Sequence, residues 1–402
     1  MRRLYQELVK KHLLHLRQMV FLMGPRQVGK TTVGLDVSSE ASTHFYFNWD
    51  NPAERLLFLQ GPEAIAKQAD LDLLHQEPPV LVFDEIHKFG KWKNFLKGFF
   101  DKYEKKTKII VTGSARLNIY KKGGDSLMGR YFYYRIHPFS VAEIASPFLI
   151  EGEIRKKPLP ISDADWEALL HHGGFPEPFV QRAEEFSRRW RRTRMDQLLR
   201  EDIRDATRIQ EIAQLELLAE LLRKQAAQSM DYASLSQKIG VAIDTIRRWL
   251  ETLKSFYYCF SIQPWSKNIA RSLLKTPKIY LYDWSLVEEE GHRHENFVAS
   301  HLLKAIHLWN DRGLGEYGLY YLRTKEKLET DFVVTKNGKP WFLVEVKTKA
   351  KGLSSALYHF QEATHAPHAF QIAFDLPFVD RDCFEEKGPL LVPARTFLSQ
   401  LV

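Results

Sequence analysis

Cysteine is nearly absent from this chain: 402 residues hold two, Cys259 and Cys383, far apart. That excludes a disulfide framework and a cysteine-built zinc site, and it suits a reducing cytoplasm. Long apolar runs are missing too, and a membrane span needs about 20 such residues. The start of the chain is basic at Arg2 and Arg3, but Glu7, Lys10, Lys11, His12 and His15 interrupt its apolar positions. It reads as an amphipathic helix, not a secretory signal. Neither an internal repeat nor a low-complexity tract occurs. The histidine groups, His171-His172 and His292 with His294, lack metal-ligand spacing. Excess charge is modest: 58 Lys and Arg against 50 Asp and Glu, formally +8, permits a polyanionic partner without requiring one. The expectation is a cytoplasmic protein with no membrane contact.

What is present begins with Gly24-Pro25-Arg26-Gln27-Val28-Gly29-Lys30-Thr31, a complete phosphate-binding loop. Val20 to Met23 reads as a buried strand entering it, and Thr31-Thr32-Val33 as the start of a helix. The glycines let successive N–H groups turn toward phosphate oxygens, and the helix N-terminus adds positive potential. The loop residues Gly24 to Thr32 are therefore expected to hold ATP. Lys30 would reach the β- and γ-phosphates and Thr31 would ligate Mg²⁺. Downstream, Pro79 to Phe83 is an apolar strand ending in Asp84-Glu85. Strand neighbours point to opposite faces, so the two carboxylates are expected to divide the work. Asp84 would hold the hydrated Mg²⁺; Glu85 would orient and deprotonate the attacking water. A third strand, Lys108 to Ser114, brings Thr112 or Ser114 toward the γ-phosphate.

These stretches, with Phe47-Asn48-Trp49-Asp50-Asn51-Pro52 and Ser126-Leu127-Met128-Gly129-Arg130, resemble the AAA-type ATPases of bacteria and archaea that carry a C-terminal domain of unknown function. Gly173-Gly174-Phe175-Pro176-Glu177, Arg200-Glu201-Asp202-Ile203, Pro277-Lys278-Ile279-Tyr280 and Glu295-Asn296-Phe297-Val298 are similar to that group's later landmarks. The resemblance spans nearly the whole chain. It implies ATP binding and hydrolysis but no known substrate. It also puts Arg130 where an arginine can stabilise the transferred phosphoryl group, in its own subunit or in a neighbour of a homo-oligomer. Arg135 is a second candidate.

The pattern breaks between Pro147 and Pro160, so an α/β ATPase domain with a parallel sheet is expected over residues 1–145. A helical region, 146–227, follows. Its Arg188 to Arg194 run around Trp190 suits a phosphate backbone, but Glu184, Glu185, Asp196, Glu201 and Asp202 favour a solvated helix. Over 228–290 the order is helix, Gly240, helix, aromatic ribbon, which is a winged helix-turn-helix signature. Arg247 and Arg248 lie on the exposed face of its second helix, where DNA contact and protein contact are both open.

Residues 291–402 carry a second set of polar groups. Strands around Tyr320, Thr330 to Val334 and Trp341 to Lys347 flank an Asn337-Gly338 hairpin turn. Glu345 and Lys347 share one strand face, Asp331 starts the partner strand, and Glu295 opens a preceding helix. Carboxylates and a lysine converging at a sheet edge suit Mg²⁺-dependent phosphodiester cleavage, with Asp331 and Glu345 as ligands. The set resembles the PD-(D/E)xK restriction-endonuclease-like nucleases over about 291–375, although Glu329-Thr330 stands where the motif's Pro would be. An active nuclease and an inactive binding platform remain open. DNA is the expected partner.

Overall fold

The computed structural model describes residues 1–113, 127–204, 207, 209–266, 276–326 and 328–402. The chain divides into two compact units, Met1–His137 and Pro138–Val402.

The first unit is built on strands β1 (Met19–Met23), β2 (His44–Asn48), β3 (Val80–Asp84), β4 (Lys108–Thr112) and β5 (Tyr131–Arg135). They form one all-parallel sheet in the order β2-β3-β4-β1-β5. β1 and β3 are buried along their whole length, as apolar runs in a parallel sheet covered on both faces must be. The helix Trp92–Tyr103 presents Trp92, Phe95, Leu96, Phe99, Phe100 and Tyr103 at helical spacing to one core face. There Phe83 meets Phe99 edge-on, ring centroids 5.5 Å apart. Emptying the Phe99 site to Ala is expected to cost about 3–5 kcal/mol.

The second unit opens with helices, including Asp163–His172, Glu184–Asp196, Ile212–Lys224, Tyr232–Ile239 and Ile243–Ser255. Asp231 caps the fourth of these, and Gly240, in the left-handed region at φ 76°, ends it. Leu235, Ile246, Trp249, Leu250 and Leu253 pack with Leu215, Leu218 and Leu222 into one core. The ribbon β6 (Cys259–Pro264) and β7 (Lys278–Leu281) follows. It is not free-standing, because β6 pairs in parallel with β8 (Tyr317–Arg323) at Gln263–Tyr320 and Pro264–Tyr321. β9 (Glu329–Lys336), β10 (Lys339–Lys347), β11 (His368–Ala373) and β12 (Gly388–Pro393) complete a seven-stranded mixed sheet, β12-β11-β10-β9-β8-β6-β7. Asn337 and Gly338 both have positive φ, 51° and 76°, which is the geometry of the expected tight hairpin. The helix carrying Glu295 is longer than expected, Glu290–Asp311. It starts earlier because the Glu289 side chain caps it, accepting from Gly291 N and His292 N.

Candidate active site

The phosphate loop joins β1 to the helix Lys30–Ser38 at the C-terminal edge of the first sheet. Gly24 is there for space: a Cβ would lie 2.2 Å from the Ile136 carbonyl oxygen, and φ is 147°. Gln27 and Gly29 also have positive φ, so the loop turns its amides inward. Lys30 is buried and donates to the carbonyls of Gly24, 3.2 Å, and Pro25, 2.6 Å. Arg3 clamps the loop from outside, donating to Val28 O at 2.7 Å and His137 O at 2.6 Å.

Asp84 is the centre of the site. It is buried at the end of β3 and accepts from Thr31 Oγ1 at 3.1 Å, Tyr46 O–H at 2.8 Å, Thr112 Oγ1, and Glu85 N at 3.1 Å. Burial and the Asp84 charge push the Tyr46 phenol well above its ordinary range, so it stays a donor. Thr112 thus spends its hydroxyl on Asp84. Ser114 lies outside the described residues.

Glu85 diverges from Asp84 for a different reason from strand alternation. β3 stops at Asp84, and Glu85 takes a left-handed conformation, φ 55° and ψ 17°, leading into the short helix Ile86–Lys88. A non-glycine residue held there is strained by about 1 kcal/mol or more. Burial raises the Glu85 carboxyl above its ordinary pKa, while Lys88, 3.2 Å away, opposes that. A raised pKa makes a stronger proton acceptor. Lys88 is in turn held by Asp50 at 2.5 Å.

The donor set fits Mg²⁺. The Thr31 hydroxyl and the Asp84 carboxylate converge, both are hard oxygen ligands, and a nucleotide supplies further phosphate oxygens. Arg26 and Thr32 are exposed beside the loop, while Pro25 and Val28 are buried in it.

Arg130 sits elsewhere. It precedes β5, its carbonyl receives Met19 N, and its guanidinium grips Asp101 through two bonds of 2.6 and 2.9 Å. Met19 starts β1, so the five-residue strand separates Arg130 from the loop by roughly 16 Å. Arg130 does not reach the phosphate loop of its own chain. Arg135 pairs in register with Met23 and lies at the loop edge.

In the second unit, Glu295, Asp331, Glu345 and Lys347 lie close together, joined by residues outside the nuclease-like motif. Lys278, 4% exposed, places Nζ 3.0 Å from Glu295, 2.5 Å from Glu329 and 3.8 Å from Asp331. Tyr280 O–H donates to the same Glu295 oxygen at 2.7 Å. Asp331 accepts from Val346 N at 2.8 Å, and Lys347 pairs with Glu345 at 2.7 Å. Burial raises the Glu295 and Asp331 carboxyls, with Lys278 opposing both. The Lys278 ammonium sits among the Glu295, Glu329 and Asp331 carboxylates, a resident cation that the expected divalent-metal site did not include. Among the described residues no group of three or more His, Cys, Asp or Glu is arranged to hold a metal.

The other basic features are largely spent. Arg191 pairs with Glu184 at 3.1 Å, Arg200 with Glu216 at 2.8 Å and Arg223 with Glu220 at 2.6 Å around a charge-mixed cleft of about 740 Å³. Arg247 bonds Asp244 at 3.1 Å, and Arg248 is exposed on the same helix.

Parallel sheet, phosphate loop and acidic strand end define a P-loop ATPase domain of the AAA type, and residues 16–145 match the family model described as an AAA domain. Residues 163–289 and 290–385 match two domains of unknown function, DUF8612 and DUF4143. The chain is similar to the uncharacterized proteins Rv2008c of Mycobacterium tuberculosis and Mb2031c of Mycobacterium bovis. Each is 24% identical over 359 residues, covering 86% of this chain and 74% of the relative. Among solved structures it is similar to a Walker-type ATPase of Pyrococcus abyssi, 15% identical, TM-score 0.43, over 70% of this chain and 93% of that one. It is also similar to AMPPCP-bound DnaA of Aquifex aeolicus, 14% identical, TM-score 0.34, over 63% and 87% of the two chains. Among the described residues no helix is long and apolar enough to cross a membrane.

Proposed function

We propose that this protein is a Mg²⁺-dependent ATPase whose turnover switches the state of its second unit, and that this unit binds a macromolecule without cutting it. The observation that carries the reading is the Asp84 hub, which joins the Thr31 hydroxyl to a buried carboxylate beside Lys30 and the raised Glu85 carboxyl. Lys30 neutralises the β- and γ-phosphates, and Thr31 and Asp84 hold Mg²⁺, which supplies charge stabilisation on the phosphoryl oxygens. Glu85 accepts the proton of the attacking water. Arg130, too far to act in its own chain, is the candidate for stabilising charge in a neighbouring subunit of a homo-oligomer.

DNA is the proposed macromolecule, supported by the exposed Arg247 and Arg248 on a helix of helix-turn-helix order and by the net charge of +8. The Lys278 ammonium lodged among the Glu295, Glu329 and Asp331 carboxylates supports binding rather than phosphodiester cleavage. The test is ATP turnover and DNA binding by the purified full chain. Turnover should need Mg²⁺ and vanish in Lys30→Ala. Arg247→Ala with Arg248→Ala should weaken DNA binding and lower its salt slope by about 2, one unit for each phosphate no longer neutralised. Turnover surviving Lys30→Ala would refute the ATPase assignment, and an unchanged salt slope would refute the DNA face.

A further inference from the structure

The carboxylate cluster of the second unit draws on three separate elements. Glu295 comes from the long helix, Glu329 and Asp331 from β9, and Lys278 from β7 of the ribbon. The Lys278 ammonium is nearly sealed from solvent and lies among all three carboxylates, 3.0, 2.5 and 3.8 Å away. A buried lysine is costly unless its charge is matched, and here it is matched several times over. Tyr280, fully buried on the same strand, adds a second donor to the Glu295 oxygen. Asp331 has one oxygen engaged by the Val346 amide.

A divalent cation bound by Asp331 and Glu345, the expected ligand pair, would need their oxygens at about 2.0–2.6 Å, yet Asp331 already faces the Lys278 ammonium at 3.8 Å and Glu345 faces Lys347 at 2.7 Å. The metal would then lie beside the Lys278 ammonium, where like charges repel strongly. The two cations are alternatives for one position. The uncommitted buried atom is Glu345 Oε2, which has no hydrogen-bond partner among the described residues. Its neighbour Oε1 is held by Lys347, so a second ammonium bounds the site from the other side.

We infer that Lys278 is the resident cation of this cluster, occupying the charge position that the sequence pattern offers to a divalent metal. The cluster is then an ion lock that fastens the β6–β7 ribbon to the long helix and to β9. The ribbon is already continuous with the sheet through β6–β8 pairing, and the lock fixes its other strand. This inference goes beyond the ATPase reading and does not depend on it.

The test uses the full chain without nucleotide and with Asp84→Asn, so that the phosphate-loop site does not contribute. Mn²⁺ binding is followed by paramagnetic resonance, with Mg²⁺ as competitor. The Lys278-bearing chain should bind no Mn²⁺. Lys278→Met should gain one equivalent, displaced by Mg²⁺ and lost again on adding Asp331→Asn. Its melting temperature should fall without metal, because the carboxylates lose their partner, and recover when Mn²⁺ is added. One equivalent of Mn²⁺ bound to the Lys278-bearing chain and lost with Glu345→Gln overturns the inference. So does a folded Lys278→Met chain that gains no metal and loses no stability. Should Lys278→Met fail to fold, the Lys278-bearing chain still decides by whether it binds Mn²⁺. ATP turnover with Asp84 restored is read separately, so failure of the ATPase reading is distinguishable.

Discussion

At the scale of single residues, position matters more than residue type. Thr31, Lys30 and Asp84 were legible because their chemistry is encoded in contiguous motifs. Arg3 and Tyr46 were not: each reaches the site from a distant element, and nothing in its local sequence distinguishes it from an ordinary surface or strand residue. Arg3→Met should remove the bond to Val28 O in the loop and the bond to His137 O beyond β5, costing about 1–3 kcal/mol of stability and raising KM for ATP more than it lowers kcat. Denaturant melts and steady-state kinetics check both. His301 supplies a pH prediction. Its Nδ1 donates to Phe297 O at 2.7 Å and its Nε2 accepts from Val141 N at 3.0 Å, so the ring is held neutral. Burial lowers its pKa to about 3, below the ordinary 6.5. The unfolded chain takes the proton first, so stability is intact above 6.5 and is lost as pH falls from there toward 3. The slope from this group approaches about 1.4 kcal/mol per pH unit. His301→Phe should be less stable at pH 7 yet show an unfolding free energy that falls less steeply with acid. Equal pH slopes in urea melts of the two proteins would contradict that.

At the scale of elements, local chemistry again marks what could be read. The strand, loop and helix around Gly24 follow from apolar run, glycines and helix start. The β9–β10 hairpin follows from Asn337-Gly338. Glu85's left-handed turn and the parallel pairing of β6 with β8 do not follow, since the first is imposed by tertiary packing and the second joins strands far apart in sequence. Lys278 escaped the nuclease reading for the same reason, because its partners come from β9 and the long helix. Gly24→Ala tests the loop element: with its Cβ 2.2 Å from the Ile136 oxygen, β1 and β5 must shift apart. ATP affinity should fall at least about tenfold, the loss of roughly one hydrogen bond to a charged group, and the melting temperature should drop. Fluorescent-nucleotide titration and thermal melts measure each.

At the scale of the whole molecule, one unit carries the nucleotide chemistry and the other the mixed sheet with its ion lock. Arg130 stands on the first sheet's edge away from the loop, which makes assembly part of the proposed mechanism. Turnover per chain should rise with protein concentration, and mixing inactive Arg130→Ala with inactive Glu85→Gln should restore part of it. A mixture as inactive as its parents would exclude action between subunits. The switch and the assembly both require that the Asp84-centred site hydrolyses ATP with Glu85 as the base. The most direct measurement compares ATP binding and single-turnover hydrolysis in wild type and Glu85→Gln. The predicted result is near-equal nucleotide affinity with hydrolysis slowed by about 10²–10⁴-fold, the usual contribution of a positioned base. Hydrolysis at the wild-type rate in Glu85→Gln would contradict the account.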